Sequence, residues 1–220
     1  MTRFVLATVA ASTLASAASA GFTGYSVQRT ITAGGNSQYQ VFANFDQSNL
    51  VFLNAFSFVN NSGTMNARHQ DFFVADGEVG TWQAGSSVSA ADRAEDSWVT
   101  ASGLATSSGW GSALDPGFAN GGTVGDINNG AGWYDATPGT ANTIGAGGTQ
   151  GGYRILIAQI VRSGDDSAQG VSNHSLQLSW KVAGTTTAIF GNGSFEIGVI
   201  PAPGAMALLG LAGLAGRRRR

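Results

Sequence analysis

The residue types that could do chemistry in this 220-residue chain are few and scattered. The two histidines, His69 and His174, stand far apart among polar neighbours and outside any metal-ligand spacing, so each reads as a surface or strand-edge residue. Cysteine is absent, which excludes a thiol nucleophile, a thiolate metal site and a disulfide framework. Two carboxyl groups flanking a cleft are enough for glycoside hydrolysis, so paired acids are the catalytic arrangement to test. The candidates are Asp76 with Glu78, Glu95 with Asp96, and Asp165 with Asp166. Each pair lies in or beside a turn, where a carboxylate is ordinarily a solvated loop charge, and the one acid placed inside a strand is Glu196. For Ca²⁺, Asp126-Ile127-Asn128-Asn129-Gly130 opens like an Asp-x-Asn calcium loop without the distant Glu, and Asp165-Asp166 with Asn173 is a second incomplete donor set. These patterns assign no catalytic residue, no metal ligand and no cofactor.

Aromatic residues on loop-like sequence are the remaining lead. Trp82, Trp110, Trp133 and Tyr134 lie near Gly, Ala or Ser rather than in apolar runs. Sugar rings stack on exposed Trp and Tyr faces, so Trp110, Trp133 and Tyr134 are candidate carbohydrate contacts. The competing reading is that they cap the ends of the core into which Trp98 and Trp180 pack.

The elements that would position these residues are strands. Period-two alternation is clearest over Ser175–Ala183, where Leu176, Leu178, Trp180 and Val182 share one face. Tyr153–Arg162 (Tyr-Arg-Ile-Leu-Ile-Ala-Gln-Ile-Val-Arg) is more apolar and reads as a central strand buried on both faces. The polar turn Ser163–Asn173 predicts that these two strands form an antiparallel hairpin. Tyr25–Thr32, Gln38–Phe45 and Asn49–Asn60 read as a three-stranded meander. In the last, Leu50, Phe52, Phe56 and Phe58 share one parity and Val51, Leu53, Ala55 and Val59 the other. Shorter strands are expected at Asp71–Ala75, Ser97–Ala101, Thr186–Phe190 and Ser194–Val199. Ser89-Ala90-Ala91-Asp92 resembles a capping box opening one or two helical turns. The Gly/Ala/Thr/Asn-rich stretch Ser102–Gly152 holds either long surface loops or short strands without visible periodicity. The expected fold is all-β, an antiparallel, jelly-roll-like β-sandwich of about eight to ten strands over residues 21–199.

The ends of the chain have a different composition. Thr2-Arg3, the apolar run Phe4–Leu14 and Ala18-Ser19-Ala20 form the n-region, h-region and A-x-A cleavage site of a signal peptide, so an N-terminal signal helix over 1–20 and a mature chain from Gly21 are expected. At the other end, Ile200-Pro201-Ala202-Pro203 precedes the apolar segment Gly204–Gly216 and the cluster Arg217, Arg218, Arg219 and Arg220. Those 13 residues would span about 20 Å as a helix, short of a bilayer core of about 30 Å. Such a helix suits a transient membrane stop, with the arginines cytoplasmic by the positive-inside rule.

This package of Pro-x-Pro-Gly, an Ala/Leu/Gly-rich helix and a terminal Arg cluster resembles the PEP-CTERM sorting signal of exopolysaccharide-producing Gram-negative bacteria. Ala202 stands where that family usually has Glu. The resemblance covers residues 200–220 only. It implies export, insertion of the C-terminal transmembrane helix in the inner membrane, and removal of the tail by an exosortase-type membrane protease after signal peptidase has acted. Delivery to the cell surface or extracellular matrix would follow. Ala18, Ala20, Pro201, Pro203, Gly204 and the four arginines are then the sorting and processing residues.

Five of the 11 basic residues, Arg3 and Arg217–Arg220, lie in these two ends, while all 13 acidic residues lie between them, so the mature chain carries a net charge of about −7. That balance argues against nucleic acid as a partner. The first reading is a non-catalytic structural or adhesive protein of the cell surface or matrix. A carbohydrate-binding module acting on exopolysaccharide is the alternative, and a secreted glycosidase a third.

Overall fold

The computed structural model describes residues 21–68, 82, 89–101, 112–115, 118, 124–135, 144, 153–164, 166 and 169–198. The expected signal peptide and sorting tail lie outside these residues, as do Trp110, His69, the Asp76–Glu78 pair, the strand expected at 71–75, and Asp165. No helix among the described residues is long and apolar enough to cross a membrane.

The fold is all-β and antiparallel, built from two main sheets facing each other in a sandwich-like arrangement. One sheet holds β1 (Phe22–Ile31), β2 (Ser37–Phe45), β9 (Tyr153–Arg162) and β5 (Trp98–Val99), in the order β1-β2-β9-β5. The other holds β11 (Ile189–Ile197), β10 (Ser172–Val182), β3 (Leu50–Ser62), β8 (Trp133–Asp135) and β6 (Ser112–Leu114), in that order. A third, two-stranded ladder pairs β4 (Ala67–Arg68) with β7 (Val124–Gly125). Helix α1 (Ala90–Ala94) opens at Ser89, whose hydroxyl accepts from the Asp92 amide, as the capping pattern predicts.

Two expected pairings are corrected by this topology. β9 and β10 do not form a hairpin, and β3 does not extend the β1–β2 hairpin into a meander: in both cases the chain crosses from one sheet to the other. The strands expected at 186–190 and 194–199 meet in one continuous strand, β11 (Ile189–Ile197), and Val199 lies outside the described residues. The stretch 102–152 contains the short strands β6, β7 and β8, which are too brief to show a period.

The inner faces follow the alternation where the ladder is regular. On β2, Tyr39, Val41, Ala43 and Phe45 are buried at every second position. On β10, Ser172, His174, Leu176, Leu178 and Trp180 do the same. β9 is buried on both faces: Ile155, Ile157 and Ile160 enter the core, while Gln159 turns outward and its amide donates to the carbonyls of Arg93 (2.7 Å) and Asp96 (2.8 Å) at the end of α1.

β3 departs from period two. Its register against β10 shifts at three places, Asn173/His174, Ser175/Gln177 and Ser179/Trp180, and at each one β3 contributes one more residue than its partner. These are β-bulges, and Ser57, beside one of them, has a positive φ of 52°. The buried positions therefore run Leu50, Phe52, Ala55, Phe58. Phe56, which the alternation places with the core set, opposes the exposed Gln177 on the outer face.

A file of aromatic rings joins the sheets through the core. Trp180 contacts Phe45 (5.5 Å) and Phe22 (6.0 Å); Phe22 contacts Tyr25 (5.0 Å), Tyr25 contacts Phe195 (5.5 Å), and Phe195 contacts His174 (5.5 Å). Most of these are edge-on or tilted, the favoured geometry for paired rings. The two edge strands β1 and β11 meet here because β11 offers Gly191 and Gly193 on its inner face. A Cβ at Gly191 would lie 3.0 Å from the rings of Phe22 and Trp180, and one at Gly193 would lie 3.1 Å from Tyr25.

Candidate functional site

The carboxylates weighed as catalytic pairs and read as solvated loop charges are, where they fall among the described residues, hydrogen-bonded within the fold. Glu95 reaches from α1 into the β1–β2 turn, where it accepts from Thr32 Oγ1 (2.8 Å), the Gly34 amide (2.8 Å) and Asn36 Nδ2 (2.7 Å). Partial desolvation favours its neutral form, but those donors and the Arg68 charge outweigh it and hold the carboxyl below the usual glutamate range. Its neighbour Asp96 accepts from the Ser97 amide (2.9 Å). Glu196, on β11, is exposed and accepts from Asn173 Nδ2 (3.3 Å).

Asp166 is fully enclosed, with a positive φ of 50°. Its Oδ2 accepts from Tyr39 Oη (2.6 Å) and from Arg162 Nη1 (3.2 Å), and Arg29 Nη2 lies 3.7 Å from Oδ1. Arg162, equally buried, spends its remaining donors on the Gly170 carbonyl (2.9 Å), Gln169 Oε1 (3.2 Å) and the Gln169 carbonyl (3.2 Å). Burial and the adjacent Asp166 push the Tyr39 phenol up to about 12. This ion pair binds the segment after β9 back onto β9 and turns the chain toward the second sheet.

The calcium-like sequences are likewise engaged. Asp126 Oδ1 accepts from the Asn66 amide (2.8 Å), and Asn129 Oδ1 accepts from the Asn60 amide (2.7 Å), which stitches two loops together. Among the described residues no group of three or more His, Cys, Asp or Glu converges to hold a metal ion.

His174 corrects the expectation of a surface or strand-edge residue. It is fully buried on the inner face of β10, stacked 5.3 Å from Phe58, with Nε2 2.8 Å from Ser172 Oγ and no hydrogen-bond partner at Nδ1. Burial pulls its imidazole down to about 4, so it is neutral at pH 7. The sequence signal was parity, since His174 continues the Leu176, Leu178, Trp180 series by one step.

The aromatic candidates divide. Trp133 is corrected: its ring is 1 % exposed, packs against Phe118 (6.0 Å) and donates from Nε1 to the Thr100 carbonyl (3.1 Å), so it cannot stack on a ligand. Trp82 and Trp98 are also buried. Tyr134, the next residue on β8, points the other way and is 45 % exposed.

Around Tyr134 the register builds a face that the loop-based reading did not include. Tyr134 opposes Asn54 on β3, Asn54 opposes Ser179 on β10, and Ser179 opposes Phe190 on β11. The next row is Phe56, Gln177 and Asn192. Phe190 is 61 % exposed, and its ring meets that of Phe56 edge-on at 6.2 Å across β10. Ser179 Oγ donates to Asn54 Oδ1 (2.6 Å), whereas the side-chain amides of Gln177 and Asn192 are exposed and have no hydrogen bond among the described residues. No protein-family model matches this chain, nor does any curated protein or solved structure.

Proposed function

We propose that this chain is an exported bacterial protein of the cell surface or extracellular matrix, with a non-catalytic, adhesive β-sandwich of jelly-roll-like form as its working part. Its signal helix directs export. Its C-terminal helix holds it briefly in the inner membrane until an exosortase-type protease removes the tail. The support for the sorting half is the order of features at the two ends, the A-x-A at Ala18–Ala20 and the Pro-x-Pro, apolar segment and Arg217–Arg220 cluster.

The observation that carries the adhesive half is the outer face of the five-stranded sheet. It combines exposed aromatic rings with free amides, while Glu95, Asp126 and Asp166 are committed to holding the fold. A face of that composition contacts partners without reacting with them.

Intact-mass measurement of the protein recovered from its producing cells tests the sorting half. The expected product lacks residues 1–20 and ends near Pro203. Recovery of an uncleaved chain retained in the inner membrane would overturn it.

A further inference from the structure

We infer that the outer face of the five-stranded sheet is a binding platform for a neutral polysaccharide, with Tyr134, Phe56 and Phe190 as stacking surfaces and Asn54, Gln177 and Asn192 as the hydroxyl-binding groups. The inference rests on the adhesive reading above and gives it a site and a ligand class.

Three observations converge. The first is placement. Tyr134 and Phe190 are the two ends of one row across four strands, about 14 Å apart at 4.8 Å per strand, and Phe56 lies in the next row between them. The apolar C–H face of a pyranose ring is matched by such rings, which offer apolar area at little entropic cost.

The second is the polar groups between the rings. A sugar hydroxyl both donates and accepts, so it can satisfy either end of a carboxamide. Gln177 and Asn192 face each other in register with their amides unspent, directly beside the Phe56–Phe190 pair. On a protein partner each such amide would need its own matched group or would be left unpaired at a cost.

The third is charge. The mature chain is strongly acidic, yet β3, β10 and β11 together carry one lysine, Lys181, and one acid, Glu196. An anionic polymer meets one lysine and one acid on these strands in an acidic chain, whereas an uncharged one meets no buried-charge penalty. A second copy of this chain is the competing occupant. It is disfavoured because the exposed apolar groups here, Tyr134, Phe190 and Val59 with part of Phe56, are interrupted by amides and hydroxyls rather than forming a continuous apolar patch.

The test is affinity electrophoresis of the purified full-length chain through gels containing mannan, xylan or hydroxyethyl cellulose. A parallel gel contains alginate as an anionic polymer, and depletion onto microcrystalline cellulose is measured alongside. Retardation by at least one neutral polysaccharide and none by alginate is expected. Phe190→Ala and Tyr134→Ala should each weaken binding about tenfold, and Gln177→Ala should weaken it less. All three should leave the thermal unfolding midpoint within a few degrees of the parent, since the altered side chains are exposed. Absence of binding to every neutral polymer overturns the inference. So does equal binding by the Phe190→Ala/Tyr134→Ala double variant, stronger binding to alginate, or a parent dimer that the double variant renders monomeric. A chain that is correctly trimmed at both ends but binds no polysaccharide loses the site and keeps the sorting reading. A chain that binds but is never trimmed does the reverse.

Discussion

The polar groups inside the sandwich and those on the outer face of its larger sheet are of similar chemistry but are partnered in opposite ways. Inside, Asp166 takes hydrogen bonds from Tyr39 and Arg162, and Arg162 makes three further hydrogen bonds, to the Gln169 side chain and to the Gln169 and Gly170 carbonyls. Outside, the side chains of Gln177 and Asn192 are exposed and have no hydrogen-bond partner among the described residues. A polar group out of water must be satisfied by the fold or it costs stability. An exposed one is satisfied by water and can exchange that water for a ligand. The interior set therefore specifies structure, and the outer set is available for recognition. The two should separate in experiment, the first moving stability and the second moving binding.

The largest expected effect is on the interior ion pair. Asp166→Ala leaves Arg162 buried without its counter-charge and strips the acceptor from Tyr39 Oη. Breaking a buried pair from one side costs about 3–5 kcal/mol. Urea unfolding should show that loss in the midpoint. A loss below about 1 kcal/mol would mean that the site admits water and that the contrast with the outer face is false.

His174 supplies the next effect, and its sign follows from burial. Its imidazole is held at about 4 in the fold, against about 6.5 for a free histidine. Between those values the unfolded chain binds the proton and the folded chain does not, so stability falls as pH is lowered from about 6.5 towards 4. A shift of that size corresponds to about 3 kcal/mol across the window. Above pH 7 the contribution is constant. Equilibrium unfolding at stepped pH should show the decline, and His174→Leu should flatten it. Glu95, whose carboxyl is held low, adds its own loss at more acidic pH. A parent slope unchanged in His174→Leu would assign the decline to the acids instead.

The contrast between the two regions also shows what the sequence could reveal. Strands with strong apolar patterning were legible: Tyr153–Arg162 is β9 with the expected ends, and the Leu176, Leu178, Trp180 series is the inner face of β10. What was hidden is set by non-local pairing. The three bulges in β3 reset its parity, so Phe56 reads as core by alternation yet lies outside opposite Gln177. The turn after β9 has hairpin composition, but the Arg162–Asp166 pair within it accompanies a crossover between sheets, and no local signal distinguishes the two. Likewise, Trp133 and Tyr134 have similar loop-like surroundings, and only their opposite directions on β8 decide that one is core and the other surface. The outer face joins residues from four strands far apart in sequence, so it becomes visible only through the register.

The smallest expected stability effect is the one that most sharpens the comparison. Gln177 lies on β10 between Leu176 and Leu178, both buried, yet its own side chain points into solvent. Gln177→Ala removes an exposed amide without opening a cavity or orphaning a partner, so it should change stability by no more than about 0.5 kcal/mol. Leu178→Ala, one residue away on the same strand, empties a fully buried site and should cost about 2–5 kcal/mol. The pair is decisive because strand, register and neighbouring backbone are shared, which leaves the direction of the side chain as the only variable. Urea midpoints read the stability side and retardation by a neutral polysaccharide reads the binding side. Gln177→Ala should bind less at unchanged stability. If its midpoint falls as far as that of Leu178→Ala, the outer amides belong to the fold, and the division between structural interior and recognising exterior fails at its centre.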